Sequence, residues 1–382
     1  METRKLYYDD CMCRTFSANV LECSRTEKGW QVILNATAFY PEGGGQACDL
    51  GMLGNVRVLD VREAGETVVH LCDGPLEAGS TVEGNIDWER RLDLMQQHTG
   101  EHIVSGLIHS RFGLHNVGFH MGADVITIDF DGPIPQEALA EIELEANRRV
   151  WENEALRCWY PAPEILPTVP YRSKKQLPWP VRIVEIPGTD ICACCGVHVA
   201  ATGQVGLIKL FSCVKFHQGV RIEMACGGRA LQFLSRVYEQ NRQVSQAFSA
   251  KILETGTAAR KMNDALAEEK YRAAQLQKQL LHIQAQSYAG RGNVVHFAED
   301  LAPGDLRNLA QEISEASGGT AAVLCGEGEN WNVCLANPGG DVKELGSRMA
   351  KQLNGRGGGK AGFFQGSLKA TTEEIGRFFA GF

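Results

Sequence analysis

The chain has 382 residues, 44% of them hydrophobic and 22% charged, which is the make-up of a globular protein with room for roughly two to four domains. Its net charge of −8 argues against a generally adhesive nucleic-acid binder, and no apolar run approaches the ~20 residues of a membrane span, so no membrane partner is expected. The start has no apolar signal segment and the 13 cysteines are sparse and odd in number, so a reduced, cytoplasmic setting is expected.

Residues 1–88 read as β structure. The stretches 30–34, 56–61 and 67–71 are short and β-branched, with glycine-bearing turns between or after them, a spacing that predicts a small barrel. The segment 37–46, Thr-Ala-Phe-Tyr-Pro-Glu-Gly-Gly-Gly-Gln, does not read as a strand. Its consecutive glycines let the backbone come close to a neighbour, and Gln46 follows with both a donor and an acceptor.

Residues 89–228 read as an α+β domain. Leu92, Met95, Thr99, Ile103 and Leu107 recur at helical steps over 90–112, and Gly113 ends the run. His98 and His102 stand four residues apart and project from adjacent turns on one side, so the two imidazoles can hold one metal ion. A strand over 122–130, a helix over 135–151 and a hairpin of 205–211 with 219–225 follow. Residues 192–198, Cys-Ala-Cys-Cys-Gly-Val-His, offer Cys194 and His198 as a second pair. One cysteine and three histidines form the kind of ligand set zinc prefers, with one ion per chain. Glu101, three residues after His98, is a candidate base. It is turned about 100° from His102, which suits a solvent-facing or supporting role at least as well.

Residues 229–289 change character. Leu231, Leu234, Val237, Val244 and Phe248, then Met262, Leu266, Leu276, Leu280 and Ile283, are spaced for long helices interrupted at Thr255-Gly256-Thr257. The pattern fits either a hairpin within one chain or a coiled-coil seam, which leaves open a homodimer through the helical or C-terminal region.

Residues 290–382 read as strand, helix, strand, strand, helix, followed by a basic glycine-rich stretch over 354–366. This stretch is not a Walker A loop, because Ala361 stands where Ser or Thr would hold magnesium. Gly357, Gly359 and Gly362 match G-x-G-x-x-G, but a helix precedes them where a dinucleotide site needs a strand. Arg356, Gly357, Gly358, Gly359 and Lys360, followed by two phenylalanines, read better as a nucleic-acid backbone contact. They lie in 345–372, which also carries Arg348 and Lys351 and no acid; 165–184 likewise carries Arg172, Lys174 and Lys175 and no acid. Local basic stretches on an acidic chain suit a specific polyanion contact.

Taken together, His98-Thr-Gly-Glu-His102, Cys194-Cys-Gly-Val-His198 and the 37–46 loop resemble the editing half of alanyl-tRNA synthetases. The closer likeness is to their free-standing relatives, the AlaX trans-editing proteins. Gly219-Val-Arg-Ile-Glu223 and Cys226-Gly-Gly-Arg-Ala230 look like the segment that closes the editing domain there. The helical stretch and glycine-rich tail are similar to the synthetases' C-terminal tRNA-binding domain, which implies the long AlaX form. The expected fold is thus a multidomain α+β chain: a β-barrel over 1–88, a zinc-bearing editing domain over 89–228, a helical segment over 229–289 and an α/β tRNA-binding domain over 290–382. Two positions depart from the family's Cys-Gly-Gly-Thr-His, since Cys195 and Val197 replace a glycine and the threonine. Cys192, Cys194 and Cys195 therefore compete for the thiolate position.

The resemblance implies hydrolysis of the ester joining serine or glycine to mischarged alanine tRNA, at a zinc that either activates water or orients the substrate. Alanine is smaller than serine, so size cannot protect the correct product, whereas a hydrogen bond to the serine hydroxyl can select against it. Thr37 and Gln46 are the polar side chains on the loop that would supply it. Two other classes stay open: a non-catalytic tRNA-binding module with structural zinc, and a redox or metal sensor built on Cys192, Cys194 and Cys195.

Overall fold

The computed structural model describes residues 2–173 and 177–382, which divide into two compact units, 1–243 and 244–382. No helix among the described residues is long and apolar enough to cross a membrane.

The first unit has two cores. Around one of them, Thr15–Thr26, Gly29–Leu34, Thr67–Cys72, Val56–Ala64, Gly51–Leu53 and Thr81–Ile86 pair antiparallel in that order, and the last returns to the first to close a barrel. Alternate positions such as Val32 and Leu34 fill its interior. The strand Thr15–Thr26 is absent from the sequence reading because only Ala18 and Val20 of its twelve residues are buried, so it carries almost no apolar alternation. The 37–46 loop then leaves the barrel, with Phe39 in the barrel core and Tyr40 already in the neighbouring one.

That second core surrounds the helix Trp88–Phe112, which Asp87 caps by accepting from the Arg90 amide at 3.2 Å. The spacing predicts an amphipathic helix. Instead every residue from 97 to 106 is buried, because the helix Ala138–Glu152, the strands Gly219–Cys226, Asp190–Ala193 and Asn116–Met121, and the barrel loop close on it from several sides. The strand expected over 122–130 is in fact the second arm, Ile126–Phe130, of a hairpin whose first arm is Asn116–Met121. Burial forces the helix's polar side chains to find partners. Gln97, for example, donates to the Cys226 carbonyl at 2.9 Å and accepts from its amide at 2.8 Å.

One such partnership joins the two cores. Arg91 and Asp49 are both fully buried and form an ion pair in which Arg91 Nε donates to Asp49 Oδ1 at 2.9 Å. Arg91 also donates to the carbonyls of Cys11 and Ala38, while Asp49 Oδ2 accepts from the Tyr40 amide at 2.6 Å. The histidine-bearing helix and the two ends of the glycine loop are thereby tied at one point.

In the second unit the sheet order is Gly292–Ala298, Gly318–Glu327, Asn330–Ala336, Phe363–Lys369, Arg356–Lys360, the first pair parallel and the others antiparallel. Alternation along Gly318–Glu327 sends Ala321 and Val323 to one face, against Leu309 and Leu281, and Ala322 and Leu324 to the other, against Met349 and Ile375. The basic glycine stretch is an edge strand of this sheet rather than a loop. Strands seldom contain three glycines, but here a Cβ at Gly357 would stand 2.6 Å from the Gln365 carbonyl and one at Gly359 would stand 2.0 Å from that of Phe363. The helix Thr255–Gln286 begins at the threonine-glycine stretch expected to interrupt it. Its Met262, Leu266, Leu276, Leu280 and Ile283 are exposed, so the expected seam has no partner within the described residues of this unit.

Replacing Arg91 by Met leaves Asp49 charged and unpaired in a dry interior. We expect this to lower the stability of the first unit by about 3–5 kcal/mol, read as a shift in its urea midpoint. The double replacement Arg91→Met with Asp49→Leu should recover much of the loss. A single variant as stable as the parent would show that the pair is not a structural tie.

Candidate metal centre

His98 and His102 sit on the buried middle of the helix, while Cys194 and His198 follow the strand Asp190–Ala193. Their ligand atoms lie within 4.8 Å of one another. Cys194 Sγ is 3.4 Å from His98 Nε2 and 3.5 Å from His198 Nε2. A tetrahedral zinc with ordinary Zn–S and Zn–N bonds places sulfur about 3.6 Å from nitrogen, so the spacing of these donors fits the ion the sequence implies.

Each imidazole is oriented from its far side. His98 Nδ1 is 2.8 Å from Gln46 Oε1, His102 Nδ1 is 3.0 Å from Asp190 Oδ2, and His198 Nδ1 is 3.2 Å from Thr99 Oγ1. With a proton on each Nδ1, every Nε2 lone pair is free to converge on the centre. The Cys194 turn is held by Arg182, which donates to the carbonyls of Cys194 and Gly196, both at 2.9 Å. The turn needs a glycine at its centre, since a Cβ at Gly196 would fall 2.1 Å from His98 Cε1.

Electrostatics separate the competing cysteines. Burial raises the Cys194 thiol, but the three imidazoles around it, His98 foremost, outweigh burial and hold it well below the usual thiol range. Burial pushes Cys192 up to about 11, only partly offset by His102 and Arg172; Cys195, at the cavity rim, is raised by partial desolvation and by the neighbouring Cys194. Burial and the neighbouring His98 pull His198 down to about 3, which keeps it a neutral ligand. Cys194 is therefore the cysteine whose surroundings best suit a thiolate, and Cys192 joins His102 and Asp190 in a second grouping alongside.

A cavity of about 830 Å³ opens beside the donors and is lined by His98, His102, Cys194, Cys195, Glu101, Asn116, Phe119, Gly44 and Gly45 among others. Glu101, which its helical angle set apart from His102, is buried and lines this cavity. Gln46 serves His98, and its carbonyl oxygen also accepts from the Val197 amide at 3.2 Å. Thr37 lies elsewhere. It is fully buried, its hydroxyl is 2.8 Å from His70 Nε2 and accepts from the Phe39 amide at 3.1 Å, and it does not line the cavity. Burial lowers His70 to about 4, against its bond to the Val32 carbonyl, so its Nε2 is a neutral acceptor for that hydroxyl.

Among the expected polyanion contacts, Arg172 is not a free surface cation. Its Nε and Nη2 donate to the two oxygens of Asp190 at 2.7 and 2.8 Å, so it steadies the carboxylate behind His102. Lys174 and Lys175 lie outside the described residues. Arg348, Lys351, Arg356, Gly357, Gly358, Gly359 and Lys360 are all exposed in the second unit. The reading of the sequence missed Asp190, Asn116 and Phe119. None of them stands in a recognisable motif, and only Thr99, between the two histidines, had a positional hint.

Comparison with known proteins follows this layout. The family model for class II (A) tRNA synthetases matches residues 2–90, that for the threonyl and alanyl tRNA synthetase second additional domain matches 181–223, and the DHHA1 domain matches 291–380. Alanine–tRNA ligase of Ignicoccus hospitalis is 31% identical over 94% of this chain, which spans only 40% of that ligase. The alanyl-tRNA editing protein Aarsd1 of Mus musculus is 29% identical over 95% of this chain and 93% of its own length. Its Xenopus laevis counterpart Aarsd1-A is 28% identical over the same shares. The C-Ala domain structure from Aquifex aeolicus alanyl-tRNA synthetase matches 23% of this chain and 91% of its own, at 25% identity and a TM-score of 0.20.

Two outcomes are expected from this geometry. Cys194→Ala should abolish most zinc binding in a stoichiometry measurement, while Cys192→Ala and Cys195→Ala keep it and Gln46→Met weakens affinity roughly ten- to a hundredfold. Equal losses from all three cysteine variants would reject the ligand set. Thr37→Val strips His70 Nε2 of its partner, so it should cost about 1–3 kcal/mol of stability with zinc content unchanged. A stable variant would contradict the structural role of that hydroxyl.

Proposed function

We propose a function from a relationship that runs along nearly the whole chain: this protein is related to the free-standing alanyl-tRNA editing proteins and to the corresponding portion of the alanine–tRNA ligases. Its reaction is hydrolysis, in trans, of the ester that joins serine or glycine to alanine tRNA. The observation that carries this reading is the convergence of His98, His102, Cys194 and His198 beside a cavity that the glycine loop also lines. Zinc, when held by these four, supplies Lewis acidity toward the ester carbonyl or a nearby water. Gln46, Asp190 and Thr99 keep the imidazoles in place, and Phe119, stacked on His98 with ring centroids 5.5 Å apart, forms an apolar wall that limits water.

The serine hydroxyl needs a partner, and the hydroxyl of Thr37 is committed to the barrel. In our reading backbone groups at Gly44 and Gly45, which line the cavity, take that part. The second unit supplies tRNA affinity through Arg348, Lys351, Arg356 and Lys360, with Gly357, Gly358 and Gly359 letting the phosphate backbone come close. A second reading, a tRNA-binding module whose zinc is structural, is favoured by the fact that four protein donors already complete a tetrahedral set.

Hydrolysis of Ser-, Gly- and Ala-tRNA measured side by side separates the two. The deacylase should act on the first two and spare the third, and tRNA binding without hydrolysis would favour the module. In the full chain, replacing Arg356 and Lys360 by alanine should raise KM severalfold with little change in kcat. It should also reduce the slope of log K against log salt by about two contacts' worth. An unchanged KM would remove the edge strand from the tRNA surface.

A further inference from the structure

The wall of the cavity beside His102 holds hydrogen-bond acceptors with nothing to accept. Glu101 is buried, with 4% of its surface exposed, and both of its hydrogen bonds fall on one oxygen. Oε1 accepts from Ser105 Oγ at 2.6 Å and from Asn116 Nδ2, whereas Oε2 accepts none among the described residues and stands 3.8 Å from His102 Nε2. Asn116 spends its amide nitrogen on Glu101 and on Ser105 Oγ at 3.1 Å. Its Oδ1 is buried without a hydrogen-bond partner among the described residues. Glu101 and Asn116 both line the cavity. Arg172, a cation close enough to feel Glu101, has Nε and Nη2 on Asp190.

Keeping a carboxylate oxygen and an amide oxygen unsatisfied in a mostly dry wall is costly unless a ligand brings donors to them. The complement is a group with several N–H donors, no acceptor and a positive charge, which describes a primary ammonium. An aminoacyl ester carries such a group on the carbon next to its scissile carbonyl. The acceptors lie beside the metal-facing nitrogen of His102, where an ammonium would bring that carbonyl to the donor cluster.

We propose that Glu101 Oε2, assisted by Asn116 Oδ1, binds the α-ammonium of the aminoacyl ester. The proposal rests on the deacylase reading and adds a substrate class to it: esters of free α-amino acids, as opposed to N-acylated or hydroxy-acid esters. Such a contact is blind to the side chain. It lets serine and glycine esters enter one site in the same pose and leaves discrimination against alanine to the loop. Ser105 is a positioning residue, fixing the Glu101 carboxylate so that its second oxygen faces the cavity.

The test compares Ser-tRNA with the same tRNA after nitrous-acid deamination, which replaces the α-amino group by hydroxyl. Each rate on the full, zinc-loaded chain is divided by the uncatalysed rate of that ester. The unaltered protein should favour the amino ester by roughly ten- to a hundredfold. Glu101→Gln should lose most of that preference, with a much smaller loss on the hydroxy ester, and its zinc content and urea midpoint should stay near the parent's. Glu101→Asp should restore part of the preference.

Equal acceleration of both esters by the unaltered protein overturns the proposal while leaving the deacylase reading intact, and needs no variant to fold. Loss of zinc from Glu101→Gln overturns it too, by making Glu101 a metal ligand, as do equal losses on both esters. No hydrolysis of Ser-tRNA by the unaltered protein rejects the deacylase reading and the proposal with it.

Discussion

The arrangement of the first unit turns on the burial of one helix. Residues 97–106 of Trp88–Phe112 have no solvent face, so every polar side chain there needs a partner fixed by the fold. Earlier on the same helix, the buried Arg91–Asp49 pair is a costlier obligation of the same kind. Two charges taken into a dry interior are tolerated only when geometry is good and their remaining hydrogen-bonding groups are used. Both conditions hold here, because Arg91 also donates to Cys11 and Ala38 while Asp49 holds the Tyr40 amide. The consequence reaches the metal centre. With Ala38, Tyr40 and Asp49 anchored to the helix at Arg91, Gln46 is delivered to His98, about two helical turns further along.

Three partners of different chemistry hold three similar imidazoles. A neutral amide oxygen faces His98, a carboxylate faces His102 and a hydroxyl faces His198. Of these partners only the carboxylate carries a full negative charge, so the partner of His102 favours a protonated ring more than a hydroxyl does. Burial disfavours the His102 imidazolium, yet Cys192, Asp190 and Cys194 raise it well above the ordinary histidine range, whereas His198, facing a hydroxyl, falls. Arg172 balances the charge of Asp190 from behind, which explains why a basic residue in an acid-free stretch is half-buried and paired instead of free on the surface.

The four donors of the candidate metal centre were legible because local spacing encodes them: His98 and His102 stand four apart on a helix, and Cys194 and His198 four apart after a strand. Their supports were not, because Gln46, Asp190 and Thr99 meet the imidazoles only through tertiary contacts. The same limit misplaced Thr37. Sequence proximity to the glycine loop put its hydroxyl at the substrate, whereas the short strand Ala36–Thr37 turns it toward His70. In the second unit the glycines of Arg356–Lys360 read as a loop on propensity. Only the approach of the neighbouring strand's backbone explains why a strand would choose them. Strands with strong alternation, such as Thr67–Cys72, were legible, and the polar strand Thr15–Thr26 was not.

The two departures from the usual Cys-Gly-Gly-Thr-His pattern become intelligible once placed. Val197 is fully buried among apolar side chains, and what the site takes from it is its backbone amide, which donates to Gln46. A valine serves that purpose as well as a threonine and adds apolar burial. Cys195 has the opposite surroundings. Its carbonyl accepts from the Tyr8 hydroxyl at 2.8 Å, while its side chain is exposed at the cavity beside Gly44. At both positions the part of the residue that builds the centre is its main chain, which any side chain leaves in place. The substitutions therefore keep the ligand geometry and change only what borders it, a hydrophobic core in one case and the cavity wall in the other.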